Sequence, residues 1–122
     1  MTTTLVVDAA NVVGSRPDGW WKDRAGATRR LHEALLVADT SYDAVVLVLE
    51  GAGKGGVRPG RDAHVRTVHA KGSGDDAIVA EARAAAERGE AVTVVTADRV
   101  LGARCSGVGA MVLSPSWLLS HL

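Results

Sequence analysis

Acidic side chains recur in this sequence where the chain of an α/β protein would pass from a strand into a loop or a helix. Asp8, Glu50 and Asp98 each follow an apolar, β-type run, and the pair Asp75 and Asp76 opens a predicted helix. In an open parallel sheet these positions share one edge, so residues far apart in sequence converge there. Neighbouring carboxylates repel each other by about 1 kcal/mol per pair at roughly 4 Å in water, and by more where water is excluded. The pattern therefore predicts a divalent metal ion among them.

Oxygen donors favour Mg²⁺ or Mn²⁺ as this ion, because the sequence has neither a set of thiolates nor a pair of histidines at zinc-binding spacing. One or two such ions would lower the pKa of a bound water and orient it for attack on phosphorus. Asn11 lies three residues after Asp8, where its amide would orient that carboxylate or the water. The catalytic candidates are Asp8, Asn11, Asp75, Asp76 and Asp98, and the candidate metal ligands are Asp8, Glu50, Asp75 and Asp98.

Five short apolar runs predict the strands that would position these acids, at residues 5–7, 44–49, 64–68, 91–96 and 110–113. Helical patterns lie between them at residues 23–39 and 73–88, directly after Asp98, and after the cap formed by Ser114 and Pro115. Such alternation predicts a three-layer α/β/α fold with a mainly parallel central sheet of about five strands. We expect residues 1–122 to form a single domain, because 47% apolar residues suffice for one core. The longest predicted loops, residues 14–22 and 51–62, would border the acidic edge.

Each acid also has a purely structural explanation. Asp75, Asp76 and Asp98 would stabilise the start of a helix by about 1 kcal/mol without any catalytic role. Glu50 begins a glycine-rich loop and would then simply face solvent. Asp8 is harder to explain in this way, since it ends an apolar run. Capping alone does not predict acids at the ends of successive strands, and this joint pattern favours the functional interpretation.

Local charge favours a phosphate-bearing substrate, although the 14 basic and 14 acidic residues of the whole chain cancel. Residues 14–30 carry five basic and two acidic residues, and residues 51–72 carry five and one. Both surpluses flank the predicted acidic edge, where cations would hold backbone phosphates. Trp20 would either stack on an unpaired base or pack on the first helix. The candidate substrate-binding residues are Lys22, Arg24, Lys54, Arg58, Arg99 and Trp20.

Other features of the sequence limit its environment. Cys105 is the only cysteine, which excludes an internal disulfide and suits a reducing compartment. The sequence has neither a basic leader nor an apolar stretch of about 18 residues, so we expect a cytoplasmic protein with no membrane partner. Residues 51–56, GAGKGG, satisfy the pattern G-x-G-x-x-G, but no helical pattern follows them. We interpret them as a mobile loop near the substrate and not as a nucleotide-binding turn.

Three motifs carry a resemblance to a known family. VVDAANVVG at residues 6–14, GSGDDAIVAEA at 72–82 and VVTADRVLGAR at 94–104 together resemble the NYN branch of the PIN-like nuclease domains. The resemblance implies that Mg²⁺ or Mn²⁺ is bound by Asp8, by Asp98 and by one aspartate of the helix-opening pair. Within this pair we favour Asp75, because Ile78 lies three residues further on. It also matches Asn11 to the asparagine of a DxxN signature and places Glu50 where some relatives carry an acid. The implied activity is the hydrolysis of RNA phosphodiester bonds, and the implied partner is RNA.

Two other functions fit the same pattern. The first is a PIN-like module of low catalytic activity that binds RNA or a protein. The protein could then form a homodimer or a complex with a protein partner. The second is a phosphoacceptor receiver-like domain, which shares the length and the α/β alternation. A receiver would need an acidic pair after the first strand and a lysine after the fifth, whereas here the pair opens a helix and the last run leads to Ser114 and Pro115.

Overall fold

A six-stranded sheet forms the centre of the computed structural model, which describes all residues from 1 to 122. The strands are β1 (Thr3–Asp8), β2 (Ala44–Leu49), β3 (Gly60–Asp62), β4 (Val65–His69), β5 (Ala91–Val95) and β6 (Met111–Leu113). Their order is β3-β4-β2-β1-β5-β6, and every neighbouring pair is parallel except β3 with β4. The mainly parallel sheet is thus confirmed, with one strand more than the five predicted.

Five α-helices and two short 3₁₀ helices connect the strands. The α-helices are α1 (Ala9–Gly14), α2 (Arg24–Val37), α3 (Gly74–Glu87), α4 (Arg99–Gly107) and α5 (Pro115–Leu119), and the 3₁₀ helices are Trp20–Lys22 and Gly51–Gly56. The four helices predicted from the sequence are present. Helix α1, strand β3 and both 3₁₀ helices lie where the sequence predicted only a strand end or loops.

The segment Gly51–Gly56 departs most from its prediction as a mobile loop. It forms a 3₁₀ helix that packs on α2. At Gly56 an added Cβ would lie 2.1 Å from the carbonyl oxygen of Ala25, so only glycine allows the two backbones to approach this closely. The glycines of this segment therefore serve helix packing, and the loop prediction is wrong.

Two apolar layers enclose the sheet. Side chains alternate along β1, so Leu5 and Val7 face one layer while Val6 faces the other. Helices α1, α2 and α5 cover the first face, and α3 and α4 cover the second. This arrangement confirms the three-layer α/β/α fold. None of the helices has the length and apolar character that crossing a membrane requires.

The strand order creates a switch point at β1. From β1 the chain passes to β2 and then to β4 on one side, and it later returns to β5 on the other side of β1. Crossover connections that diverge in this way leave a crevice at the carboxyl ends of the central strands, where ligands of open α/β sheets bind. Asp8, Glu50 and Asp98 lie at or just after the ends of strands on this edge, and Asp75 lies in the first turn of α3.

Candidate active site

Asp8 lies at the centre of the acidic edge, at the last position of β1. Its side chain is 7% exposed. Its Oδ1 accepts a hydrogen bond from the backbone N–H of Asn11 at 3.3 Å, and its Oδ2 accepts one from the hydroxyl of Thr96 at 2.9 Å. Asp8 thereby caps α1, a structural role that the sequence did not indicate because α1 was not predicted.

Burial raises the pKa of Asp8 above its ordinary value. The carboxylates of Asp75 and Glu50 raise this pKa further, whereas the hydrogen bonds from Thr96 and Asn11 lower it. The charged form of Asp8 is therefore held in the folded protein against a free-energy cost. A bound cation would remove that cost, which makes this residue suited to a metal site.

Asn11 and Thr96 connect Asp8 to the end of β5. The side-chain oxygen of Asn11 accepts a hydrogen bond from the backbone N–H of Ala97 at 2.8 Å, so Asn11 joins α1 to the loop after β5. Its side chain does not bond Asp8, which receives only its backbone N–H. The Thr96 hydroxyl donates to Asp8 and accepts the backbone N–H of Asp98 at 3.1 Å. Thr96 is not among the site residues predicted from the sequence. The only sequence signal for it is its position two residues before Asp98.

Asp98 and Glu50 each use one oxygen to bind backbone. Asp98 caps α4 by accepting the N–H of Leu101 at 3.0 Å, and its side chain is exposed. Glu50 follows β2 and accepts the N–H of Gly74 at 2.8 Å through Oε2. An added Cβ at Gly74 would lie 2.6 Å from that oxygen, so the glycine allows Glu50 to reach the start of α3. Glu50 therefore lies at the acidic edge and does not simply face solvent.

The neighbouring residues Asp75 and Asp76 point in different directions. Burial raises the pKa of Asp75, and the carboxylates of Asp98 and Glu50 raise it further. Asp76 forms an ion pair with Arg104 at 2.9 Å, and its side chain is 73% exposed. Asp75 thus belongs to the acidic group, while Asp76 lies outside it on the surface of α3.

The four carboxylates of Asp8, Glu50, Asp75 and Asp98, called the acidic group below, interact through their charges without forming a closed cluster. No three or more His, Cys, Asp or Glu side chains are arranged as a preformed set of metal ligands. Asp8, Glu50 and Asp98 instead turn oxygens toward N–H or O–H donors of the protein. The donor chemistry nevertheless fits Mg²⁺ or Mn²⁺, because Mg²⁺ sites commonly use one or two carboxylates and several waters.

A cavity of about 330 Å³ opens beside the acidic group. Trp20, Arg24 and Thr28 line it on the side of α2, and Glu50 lines it on the side of the sheet. The guanidinium of Arg24 lies 5.2 Å from the centre of the Trp20 ring. Of the predicted substrate-binding residues, Trp20 and Arg24 line the cavity. Lys54 lies in the 3₁₀ helix Gly51–Gly56, next to the cavity, and Arg99 directly follows Asp98. Lys22 and Arg58 are exposed on the surface and do not line the cavity.

Comparisons with known proteins bear on the fold. No family model matches the sequence, and no curated protein matches it. The structure of Rae1 (YacP) from Bacillus subtilis is similar, with a TM-score of 0.75 and 22% identity over 98% of this chain and 72% of that one. A point variant of the same protein gives a TM-score of 0.72 and 20% identity over 98% and 74%. The chain therefore shares the three-layer PIN-like fold of these structures.

Proposed function

We propose that this protein is a metal-dependent ribonuclease that hydrolyses RNA phosphodiester bonds. The ligands of its Mg²⁺ or Mn²⁺ would be Asp8, Asp75 and Asp98, with Glu50 as a further oxygen donor. One observation supports this most directly: four carboxylates gather at the switch point of the sheet although burial and mutual repulsion raise the pKa of Asp8 and Asp75. Perturbed acids gathered in a crevice are typical of functional sites.

The residues of the site have distinct roles in this proposal. When bound, the ion supplies a water of lowered pKa and offsets charge on the leaving oxygen. Asp8 is held by Thr96 and by the backbone of Asn11, which fixes one ligand in advance. The side chain of Asn11 fixes the loop that carries Asp98. A carboxylate of the group accepts the proton that the attacking water loses.

RNA is proposed as the substrate on two grounds. The first ground is that the motifs of the sequence resemble those of NYN nucleases. Basic side chains also surround the acidic group, including Arg24 at the cavity and Arg99 beside Asp98. Such side chains hold the phosphates of a nucleic acid and place its backbone, without reading its sequence.

A second candidate is an RNA-binding module with little turnover. The observation that favours it is the lack of a preformed set of three ligands in the acidic group. In such a module the acids would act mainly as helix caps, as Asp8 and Asp98 do here. The basic surface would be the same in both candidates, so binding alone does not separate them.

Cleavage of a labelled single-stranded RNA separates the two candidates. The protein would be incubated with this RNA and with DNA of the same sequence, in Mn²⁺, in Mg²⁺ and in EDTA. A nuclease cleaves the RNA only with metal, and Asp98→Asn lowers the rate by at least about 100-fold, as loss of a group acting in the transition state does. Asp62→Asn is the matched control, because Asp62 is exposed on β3 at the edge of the sheet. RNA that is bound but uncleaved at saturating metal would establish the module instead.

A further inference from the structure

The cavity beside the acidic group has the size and lining of a binding site for a small planar group. Its volume of about 330 Å³ is at the lower end of the range for ligand sites. Half of its twelve lining residues are hydrophobic. Glu50 belongs to both the cavity and the acidic group, so the cavity adjoins the proposed metal site.

Thr28 supplies an unused polar group inside this cavity. The residue as a whole is 4% exposed and lines the cavity, and its hydroxyl takes part in none of the side-chain hydrogen bonds of the protein. Gly53 faces this hydroxyl, and an added Cβ there would lie 3.1 Å from the Thr28 oxygen. The missing side chain of Gly53 thus leaves space in front of a free donor and acceptor.

Trp20 and Arg24 line another part of the cavity with flat side chains that contact each other. Trp20 is half-buried and packs against the core formed with α1 and α2, and Gly14 lies beside its ring. Arg24 lies over the same ring and forms no ion pair with an acid. An indole and a guanidinium held together in this way are surfaces on which nucleic-acid bases stack.

We propose that this cavity binds one unstacked nucleobase of the RNA substrate, next to the phosphate that is cleaved. The inference rests on the proposed function, which makes RNA the ligand. A base has apolar faces for the Trp20 and Arg24 wall and a polar edge for the Thr28 hydroxyl. A phosphate does not suit the cavity, because half of the lining is hydrophobic and Glu50 is an acid. The cavity then selects which nucleotide lies beside the cleaved bond.

Nuclear magnetic resonance with single nucleotides tests this proposal without requiring cleavage. Uniformly ¹⁵N-labelled protein would be titrated in EDTA with AMP, GMP, CMP and UMP, and with ribose 5-phosphate as the ligand that lacks a base. We expect saturable shifts of the backbone amides of Thr28 and Gly53 with at least one nucleotide and none with ribose 5-phosphate. Equal shifts with ribose 5-phosphate, or nucleotide shifts confined to other regions, would overturn the proposal.

Variants assign the effect to the cavity. Thr28→Val keeps the shape of the side chain and should weaken nucleotide binding about fivefold, as the loss of one hydrogen bond does. Trp20→Leu should weaken it roughly 5- to 150-fold, the range found when a stacking partner is removed. Trp117→Leu is the matched control and should bind normally, because Trp117 is also half-buried but packs on Tyr42 and His121 and does not line the cavity.

The outcomes distinguish this inference from the proposed function. Since the titration contains no metal, nucleotide binding that is weakened in Thr28→Val supports the base site even if the protein cleaves no RNA. Conversely, metal-dependent cleavage with unaltered nucleotide binding in both Thr28→Val and Trp20→Leu would overturn the base site and leave the nuclease standing. If Trp20→Leu does not fold, Thr28→Val alone decides.

Discussion

Replacing Asp8 by asparagine should stabilise the protein when no metal is bound. Asp8 is 7% exposed, and burial together with the carboxylates of Asp75 and Glu50 raises its pKa. Asparagine retains an oxygen for the cap of α1 and removes the charge. Removing the charge relieves the burial penalty, which is the largest cause of the raised pKa, and also the weaker repulsion from the two carboxylates, together worth on the order of 2 kcal/mol. Weakening the hydrogen bond from Thr96 costs about 1 kcal/mol.

The net gain of about 1 kcal/mol corresponds to a measurable change in melting temperature. Unfolding entropy of about 2.1 cal/mol/K per residue implies a rise of about 4 °C for a chain of 122 residues. The gain should depend on pH in a defined direction. Because the pKa of Asp8 is raised in the folded state, its charged form destabilises the wild type above that pKa. The advantage of Asp8→Asn is therefore full near pH 7 and declines as the pH falls through the folded pKa toward the ordinary value.

Adding Mn²⁺ should reverse the order of stability. A ligand at 100 times its dissociation constant stabilises the folded state by about 2.7 kcal/mol, or about 10 °C here. The wild type should gain this stabilisation, and Asp8→Asn should lose most of it because a carboxylate ligand is missing. Differential scanning fluorimetry in EDTA and in Mn²⁺ measures the melting temperatures of the wild type and of Asp8→Asn. Asp62→Asn is measured in the same way as the control.

Two results would refute this reasoning. A lower melting temperature of Asp8→Asn in EDTA would mean that the charged cap of α1 stabilises the protein more than burial and repulsion destabilise it. Equal stabilisation of wild type and Asp8→Asn by Mn²⁺ would mean that Asp8 is not a ligand. The first result removes the electrostatic argument, and the second removes the metal site at the end of β1.

Three further outcomes follow from the structure. Asp75→Asn should weaken Mn²⁺ binding, measured by calorimetry, much more than Asp76→Asn, because only Asp75 faces the acidic group. Thr96→Val should lower the free energy of unfolding, measured in urea, by about 1–3 kcal/mol, since it leaves Oδ2 of Asp8 and the backbone N–H of Asp98 without their hydrogen-bond partner, while Thr96→Ser should not. Gly56→Ala should cost about 1–3 kcal/mol by overpacking against α2, whereas Gly72→Ala, with open space around it, should cost little.

The strands of the sheet were predictable from sequence because burial on both faces leaves continuous apolar runs. Helix α1 was not, since its six residues are too few to show helical periodicity, and its start depends on the cap that Asp8 supplies. Strand β3 has no apolar residue and is exposed throughout, so only its antiparallel hydrogen bonds to β4 define it. Elements fixed by tertiary contacts alone leave no local signal in the sequence.

The acidic group was predictable for the same reason that the sheet was. Residues at the carboxyl ends of parallel strands must lie at one edge, whatever the details of packing. The sequence also favours Asp75 over Asp76 as a ligand, because Ile78 lies three residues further along α3; Ile78 is buried, and Asp76 pairs with Arg104, but the ligand itself stays a prediction. The role of Asn11 was not predictable, since its side chain binds a backbone group of the loop after β5 that sequence spacing does not reveal.

Helix capping and metal binding are competing explanations of these acids when only the sequence is considered, but the geometry makes them compatible. An ionised carboxylate can accept about four hydrogen bonds or ligand contacts. Asp98 uses Oδ1 for the start of α4, and Glu50 uses Oε2 for the start of α3, which leaves the second oxygen of each free of these contacts. The positive ends of these helices also stabilise the acids while no ion is bound. The same backbone contacts that hold the carboxylates apart from one another also fix them close to where a cation would sit, so capping prepares the site that the proposal requires.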